Sequence, residues 1–403
     1  MNPNPNPKRH EPAAVRWWAA AGLVRSPFLL LLLAGCLSLL VSGCSSSPAG
    51  PTPAAAQDEG TLPAVQPPPE TTAAPTQLPQ ETAVPLSTVS ATPTPSATAT
   101  AAPTRTPTPA PSPTADPYAA YRIEALAARP YGGGQLQLIE RMESNDVFAR
   151  YLIEYPSDGL AIQGFMNVPH EGSKFPVAIV LHGYIDPDVY ETLDYTTRYA
   201  DVLAEAGYLV IHPNMRGFPP SDEGDDAFRS GLAIDILNLI AIVREQSLDP
   251  EGPLRRADRD AIYLWGHSMG GGAALRVATV LNEPYLRAAV LYGAMSGDEA
   301  LNYGKIREWS GGRSGDFELA APPETLQAIS PIDHLERITA PLSIHHGEAD
   351  ETVPPAWSDE LCARLEALGK AHECFTYHAA PHTFYGDWEA LFNRRVIEFF
   401  SRN

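Results

Sequence analysis

Basic side chains are scarce in this 403-residue chain: 28 Lys and Arg stand against 48 Asp and Glu, a formal net charge of −20. Such a surface repels polyphosphate, which excludes a nucleic-acid partner. Cysteine is scarcer still, with four residues, and neither a paired C-x-x-C nor an H-E-x-x-H occurs, so the common zinc patterns are missing. His345 and His346 are neighbours on a strand-like run and so point to opposite faces, which argues against a metal pair. The Leu-rich run from Pro27 to Val41 is about fifteen residues, too short to span a bilayer comfortably. Internal repeats are absent, and residues 45–117 almost lack aromatics.

Proline, by contrast, is abundant at 41 residues, most of them before residue 118. Lys8, Arg9, Arg16 and Arg25 form a basic head, and the Leu-rich run that follows ends in small residues, the layout of a signal peptide. Leu33-Ala34-Gly35-Cys36 and Val41-Ser42-Gly43-Cys44 both resemble the bacterial lipobox. Cys44 is favoured as the lipidated residue, because cleavage there leaves the fuller apolar core and exposes Ser45-Ser46-Ser47 at the head of a polar segment. Residues 1–43 are therefore expected to be a lipoprotein-type signal peptide, with an uncleaved anchor or a soluble secreted product as alternatives. The rest is expected to be extracytoplasmic, held at a membrane through lipid or anchor. Residues 44–117, rich in Pro, Thr, Ala and Ser, cannot bury enough apolar surface to offset the entropy of ordering. They are expected to be a disordered tether, with a reach on the order of 200 Å at ~3.1 Å per extended residue. Of the remaining cysteines, Cys362 lies on a predicted helix and Cys374 on the next strand; a disulfide and two buried thiols both fit.

From 118 to 403 the pattern is that of one globular domain. Val147–Tyr155 and Leu160–Val168 flank the turn Pro156-Ser157-Asp158-Gly159 and predict a β-hairpin. Strand-like runs then alternate with helical patterns: Val177–Leu181, a helix near Glu191–Ala206, Tyr208–His212, and a helix near Phe228–Gln246. Strand Ala261–Trp265, helix Met269–Leu281 and strands Ala288–Tyr292 and Leu342–His345 come next. Helix Ala356–Leu368, strand Glu373–Tyr377 and a last helix near Trp388–Phe400 complete the series. This alternation predicts an α/β fold with a mostly parallel sheet covered by helices on both faces. Residues 295–340 interrupt it and read as a small insertion over the sheet's C-terminal edge.

Trp265-Gly266-His267-Ser268-Met269-Gly270-Gly271-Gly272 lies between a strand and a helix, the context that a nucleophile elbow requires. Glycines on either side permit the tight turn, and the helix N-terminus favours the negative charge that develops beside Ser268. A serine hydroxyl needs a base held by an acid. In the chain order Ser, acid, His, the acid is expected at Asp350 and the base at His382, with Glu348 and His378 as their nearest rivals. The N–H groups of Met269 and Tyr184 are expected to bind the oxyanion. The Tyr184 side chain is expected to be either an aromatic wall for substrate or, through its hydroxyl, a further donor. Arg216 is read as salt-bridged, and Tyr303 and Trp357 as pocket-lining or packing residues.

From Val147 to Asn403 the sequence resembles the catalytic domain of prolyl-oligopeptidase-type (S9) serine peptidases and their dienelactone-hydrolase-like relatives, members of the α/β-hydrolase superfamily. The resemblance is carried by His182-Gly183-Tyr184, Asn214-Met215-Arg216-Gly217, Gly266-His267-Ser268-Met269-Gly270-Gly271, His346-Gly347-Glu348-Ala349-Asp350-Glu351-Thr352-Val353-Pro354 and His382-Thr383-Phe384. It implies the α/β-hydrolase fold, and triad roles for Ser268, Asp350 and His382 with no metal or organic cofactor. The substrate it implies is a small ester or peptide, cleaved through an acyl-enzyme. The large β-propeller of those peptidases has no room here, which keeps carboxylic ester hydrolysis open beside peptide cleavage. An inactive hydrolase-fold module that binds a wall polymer or protein is the reading from another class. No feature of the sequence indicates an oligomeric state.

Overall fold

Strand and helix patterns that are each half-apolar must bury their faces against one another, and a single nine-stranded sheet does this here. A computed structural model describes residues 116–403. The expected signal peptide 1–43, the candidate lipidation sites Cys36 and Cys44 and nearly all of the expected tether 44–117 lie outside the described residues.

In chain order the elements are α1 (Ile123–Ala128), β1 (Gln137–Ser144), β2 (Phe148–Ser157), β3 (Leu160–Pro169), β4 (Phe175–Leu181), α2 (Thr197–Glu205), β5 (Leu209–Pro213) and α3 (Ser230–Gln246). There follow β6 (Ala257–His267), α4 (Met269–Val280), β7 (Leu286–Tyr292), α5 (Glu299–Trp309), α6 (Asp316–Leu319) and α7 (Pro323–Ile329). The chain closes with β8 (Leu342–Gly347), α8 (Ala356–Ala367), β9 (His372–Tyr377) and α9 (Gly386–Arg402). The sheet order is β1-β2-β3-β5-β4-β6-β7-β8-β9. β1, β2 and β3 form an antiparallel edge joined antiparallel to β5, and all strands from β5 to β9 are parallel. The β2–β3 hairpin closes through Asp158 (φ 51°) and Gly159 (φ 87°), both left-handed, as a two-residue turn that matches strand twist requires.

The parallel strands alternate their side chains between two cores. Val177, Ile179 and Leu181 of β4 and Ile262 and Leu264 of β6 face a cluster built with α3 and α4. Ala178, Val180, Tyr263 and Trp265 face a second, with Tyr199 of α2 and Phe392, Phe399 and Phe400 of α9. Burial on both faces explains why these strands read as near-continuous apolar runs.

Two expectations need correction. β1 was not predicted: Leu138 and Ile139 are 40% and 49% exposed, and an edge strand with little to bury carries no apolar alternation. The helix expected near Glu191–Ala206 begins only at Thr197, because residues 182–196 form a loop with turns at Asp186 and Asp194.

The segment between β7 and β8 is rooted against the elbow, where the Met295 N–H donates to the Ser268 carbonyl at 3.0 Å. Its buried Glu299 accepts from Arg276 of α4 at 2.5 Å and from Arg229 at 2.7 Å. Tyr303, Ala321 and Ile329 pack on Phe228, which also meets the rings of Tyr118 and Tyr121. Cys362 of α8 and Cys374 of β9 form a disulfide.

Candidate active site

The order of the sheet reverses around β4, whose neighbours are β5 on one side and β6 on the other, and the crevice beyond such a switch point is where α/β sheets hold ligands. Ser268 is the single residue between β6 and α4, with φ 54° and ψ −113°, a conformation L residues avoid. The flanking glycines make it possible. A Cβ at Gly266 would stand 2.3 Å from the Gly270 carbonyl oxygen, and one at Gly270 would stand 2.4 Å from that of Leu181. Ser268 is held by its N–H on the Tyr292 carbonyl at 2.9 Å and by its own carbonyl, which accepts from Gly272 at 3.1 Å.

Asp350 lies three residues beyond β8 and His382 five beyond β9. Asp350 Oδ2 accepts from His382 Nδ1 at 2.6 Å, and Oδ1 accepts from the Thr352 and Val353 amides at 2.8 and 2.9 Å. Gly293 (φ 49°) makes room for the pair, since a Cβ there would lie 3.2 Å from His382 Nδ1. Burial pushes the Asp350 carboxyl up, but donation from His346 and His382, the His382 charge and the Val353 amide outweigh it and hold the group well below the usual carboxylate range. With Nδ1 engaged, Nε2 is the His382 nitrogen left without a protein partner among the described residues. The rivals Glu348 and His378 bond to each other at 2.6 Å, and the His378 side chain is 93% exposed.

Tyr184 follows β4, the strand paired with β6 through Leu181 and Gly266, so its amide and that of Met269 come from adjacent strand ends. Among the described residues neither N–H donates to a protein acceptor. Tyr184's ring is 41% exposed and lies edge-on to Phe218. Arg216 pairs with buried Asp235 at 2.7 Å, and Tyr303 is buried against Phe228.

The roles of three polar residues of the site went unread in the sequence. His346 Nε2 faces two acceptors, Asp350 Oδ2 at 3.0 Å and the Val353 carbonyl at 3.1 Å, and so donates, while Nδ1 lies 2.6 Å from the Ser358 hydroxyl oxygen. Its partner on the strand, His345, points the other way to Tyr377 and Ser343. His267 and Tyr195 bond to each other beside Ser268. Only the strand alternation at His346 could have signalled any of these.

Among known proteins, the prolyl oligopeptidase family matches residues 252–403 and the alpha/beta hydrolase fold family residues 176–314. The chain is 25% identical over 250 residues to the uncharacterized peptidase YtmA of Bacillus subtilis, a match covering 61% of this chain and 90% of that protein. Among solved structures it resembles acetyl xylan esterase 1 of a Thermoanaerobacterium species, with TM-score 0.52 and 18% identity over 70% of this chain and 93% of the esterase. The acylaminoacyl peptidase of Pyrococcus horikoshii superposes with TM-score 0.51 and 23% identity, over 64% of this chain and 42% of the peptidase. At such identities the two structures establish the fold, which is that of the α/β hydrolases.

Proposed function

We propose that this member of the α/β-hydrolase superfamily is a serine hydrolase that cleaves a carboxylic ester or peptide bond through an acyl-enzyme on Ser268. One observation carries the reading: a serine on a strained strand-to-helix turn, two free amides, and a histidine bonded to a buried carboxylate gather at one edge of the sheet.

Ser268 Oγ attacks the substrate carbonyl while His382 Nε2 takes its proton. Asp350 keeps the other proton on Nδ1 and stabilises the imidazolium. The carbonyl oxygen becomes an oxyanion between the N–H groups of Met269 and Tyr184, near the positive end of α4. His382 then gives its proton to the leaving alcohol or amine, and activates water to release the acid and restore Ser268.

Ester cleavage without peptidase activity is the second reading. Among the described residues only α1, β1 and a short 3₁₀ turn precede β2, and the chain spans most of an acetyl xylan esterase but under half of an acylaminoacyl peptidase. The peptidase reading is supported by YtmA, a relative named a peptidase and spanned over 90% of its length. The enzyme is further proposed to act outside the cytoplasm, anchored by lipid at Cys44. Its signal-like N-terminus and the Cys362–Cys374 disulfide, a bond favoured in oxidising compartments, support that placement.

The test is hydrolysis of short p-nitrophenyl esters and aminoacyl p-nitroanilides by the wild-type chain and Ser268→Ala. Loss of about 10⁴-fold or more in the variant, with loss of fluorophosphonate labelling, is expected. Full activity in Ser268→Ala would refute the mechanism, and cleavage of esters alone would select the second reading.

A further inference from the structure

Tyr195, His267 and Gly183 meet beside Ser268 in a chain of hydrogen bonds whose direction is determined. A Cβ on Gly183 would stand 2.6 Å from Tyr195 Oη, 3.1 Å from Ser268 Cβ and 3.2 Å from His267 Nδ1, so the three groups converge on one point. The Gly183 N–H can only donate, and it does so to Tyr195 Oη at 3.0 Å. The His382 carbonyl can only accept, and it lies 3.0 Å from His267 Nε2. Burial disfavours the charged ring and pushes His267 well below its ordinary value, with the nearby His382 adding to the effect. The neutral ring therefore carries its single proton on Nε2. Nδ1 is left as an acceptor, and the Tyr195 hydroxyl, 2.5 Å away, donates to it.

One end of this chain is the loop that presents the Tyr184 amide, and the other is the backbone of the base itself. Resting on the serine-hydrolase reading, we propose that Tyr195 and His267 are positioning residues that tie the oxyanion loop to the His382 loop across Ser268. They hold donor and base at one spacing before substrate arrives. Neither touches the reacting atoms. A hole left to find its geometry during reaction would spend reorganisation energy that this tie removes. The identity of residue 267 matters because a Leu there would leave both the Tyr195 hydroxyl and the His382 carbonyl without a partner.

The experiment measures kcat, KM and inhibition by a trifluoromethyl ketone, which forms an oxyanion adduct on serine, for p-nitrophenyl butyrate hydrolysis by the full chain. The variants are Ser268→Ala, Tyr195→Phe, His267→Gln, His267→Asn and Tyr195→Phe/His267→Gln. Tyr195→Phe is expected to lower kcat by about 10- to 100-fold and to weaken the ketone by a similar factor, with KM changed less than about threefold. His267→Gln retains a donor for the His382 carbonyl, and His267→Asn an acceptor for Tyr195, so each is expected to lose part of the activity. The double variant should fall no further than its worse parent, as members of one chain do.

If Tyr195→Phe keeps kcat and ketone affinity within about twofold while Ser268→Ala is inactive, the tie is refuted and the serine hydrolase stands. If Ser268→Ala stays active, the serine hydrolase falls and the tie with it. Should Tyr195→Phe lack a cooperative unfolding transition, His267→Asn decides by the same two readouts.

Discussion

Ser268 holds a conformation that costs of order 1–3 kcal/mol, and the surrounding backbone compels it through close glycine contacts and three hydrogen bonds. Around it the domain buries imidazoles in neutral form. Burial lowers His212 and His267 well below their ordinary values, and His345 to about 3. In the unfolded chain each of these rings takes up a proton below about pH 6.5, whereas the folded chain refuses it. The unfolded state then binds more protons, so stability falls as pH drops below about 6.5, by about 1.4 kcal/mol per pH unit for each ring. Asp350, held below its ordinary value, adds stability present above about pH 4 and lost as pH falls further. Urea unfolding at pH 7.5, 6 and 5 is expected to show a free energy that drops with pH, the three rings outweighing buried Asp226, whose carboxyl burial raises to about 7 and whose contribution has the opposite sign. Equal midpoints at pH 7.5 and 5 would contradict the neutral burial of these rings.

The elements that carry the site are joined by contacts remote in sequence. Glu299, the first residue of α5, is 1% exposed and neutralises two guanidiniums, Arg276 of α4 and Arg229 ahead of α3. It thereby fastens the β7–β8 segment to the helix that follows Ser268. Glu299→Gln leaves two buried cations without a counter-charge and is expected to cost about 3–5 kcal/mol in chemical denaturation. A loss under about 1 kcal/mol would show that the segment is held by the Phe228–Tyr303 packing instead. β1 and α2 illustrate what element-level patterns conceal. β1 is an exposed edge strand with no face to signal it, and the segment before Thr197 is a loop whose turns interrupt the helical pattern and whose Tyr195 hydroxyl bonds to His267.

For the whole molecule, the proposal that the domain is displayed from a membrane rests on the Pro-rich stretch and the lipobox-like cysteine that precede it in the sequence. Cells producing the full chain and fed labelled palmitate are expected to acylate it. Cys44→Ser should abolish the label and move activity to the soluble fraction, while Cys36→Ser should retain both label and membrane fraction. The reverse pattern would assign Cys36, and no label in any form would remove the lipid anchor.

By itself the sequence determined the α/β architecture and brought Ser268, Asp350, His382 and the Met269 and Tyr184 amides into consideration. Each depends on local grammar: a strand end, a glycine turn and the residues within one loop. Tertiary structure alone decided the rest. His267 meets Tyr195 across 72 residues and the His382 carbonyl across 115, and Glu299 meets Arg276 across 23. Whether Cys362 and Cys374 join was equally undetermined until α8 was laid against β9. Hydrogen-bond partners and ion pairs of this kind are selected by the three-dimensional packing of the sheet and its helices, and no spacing along the chain encodes them.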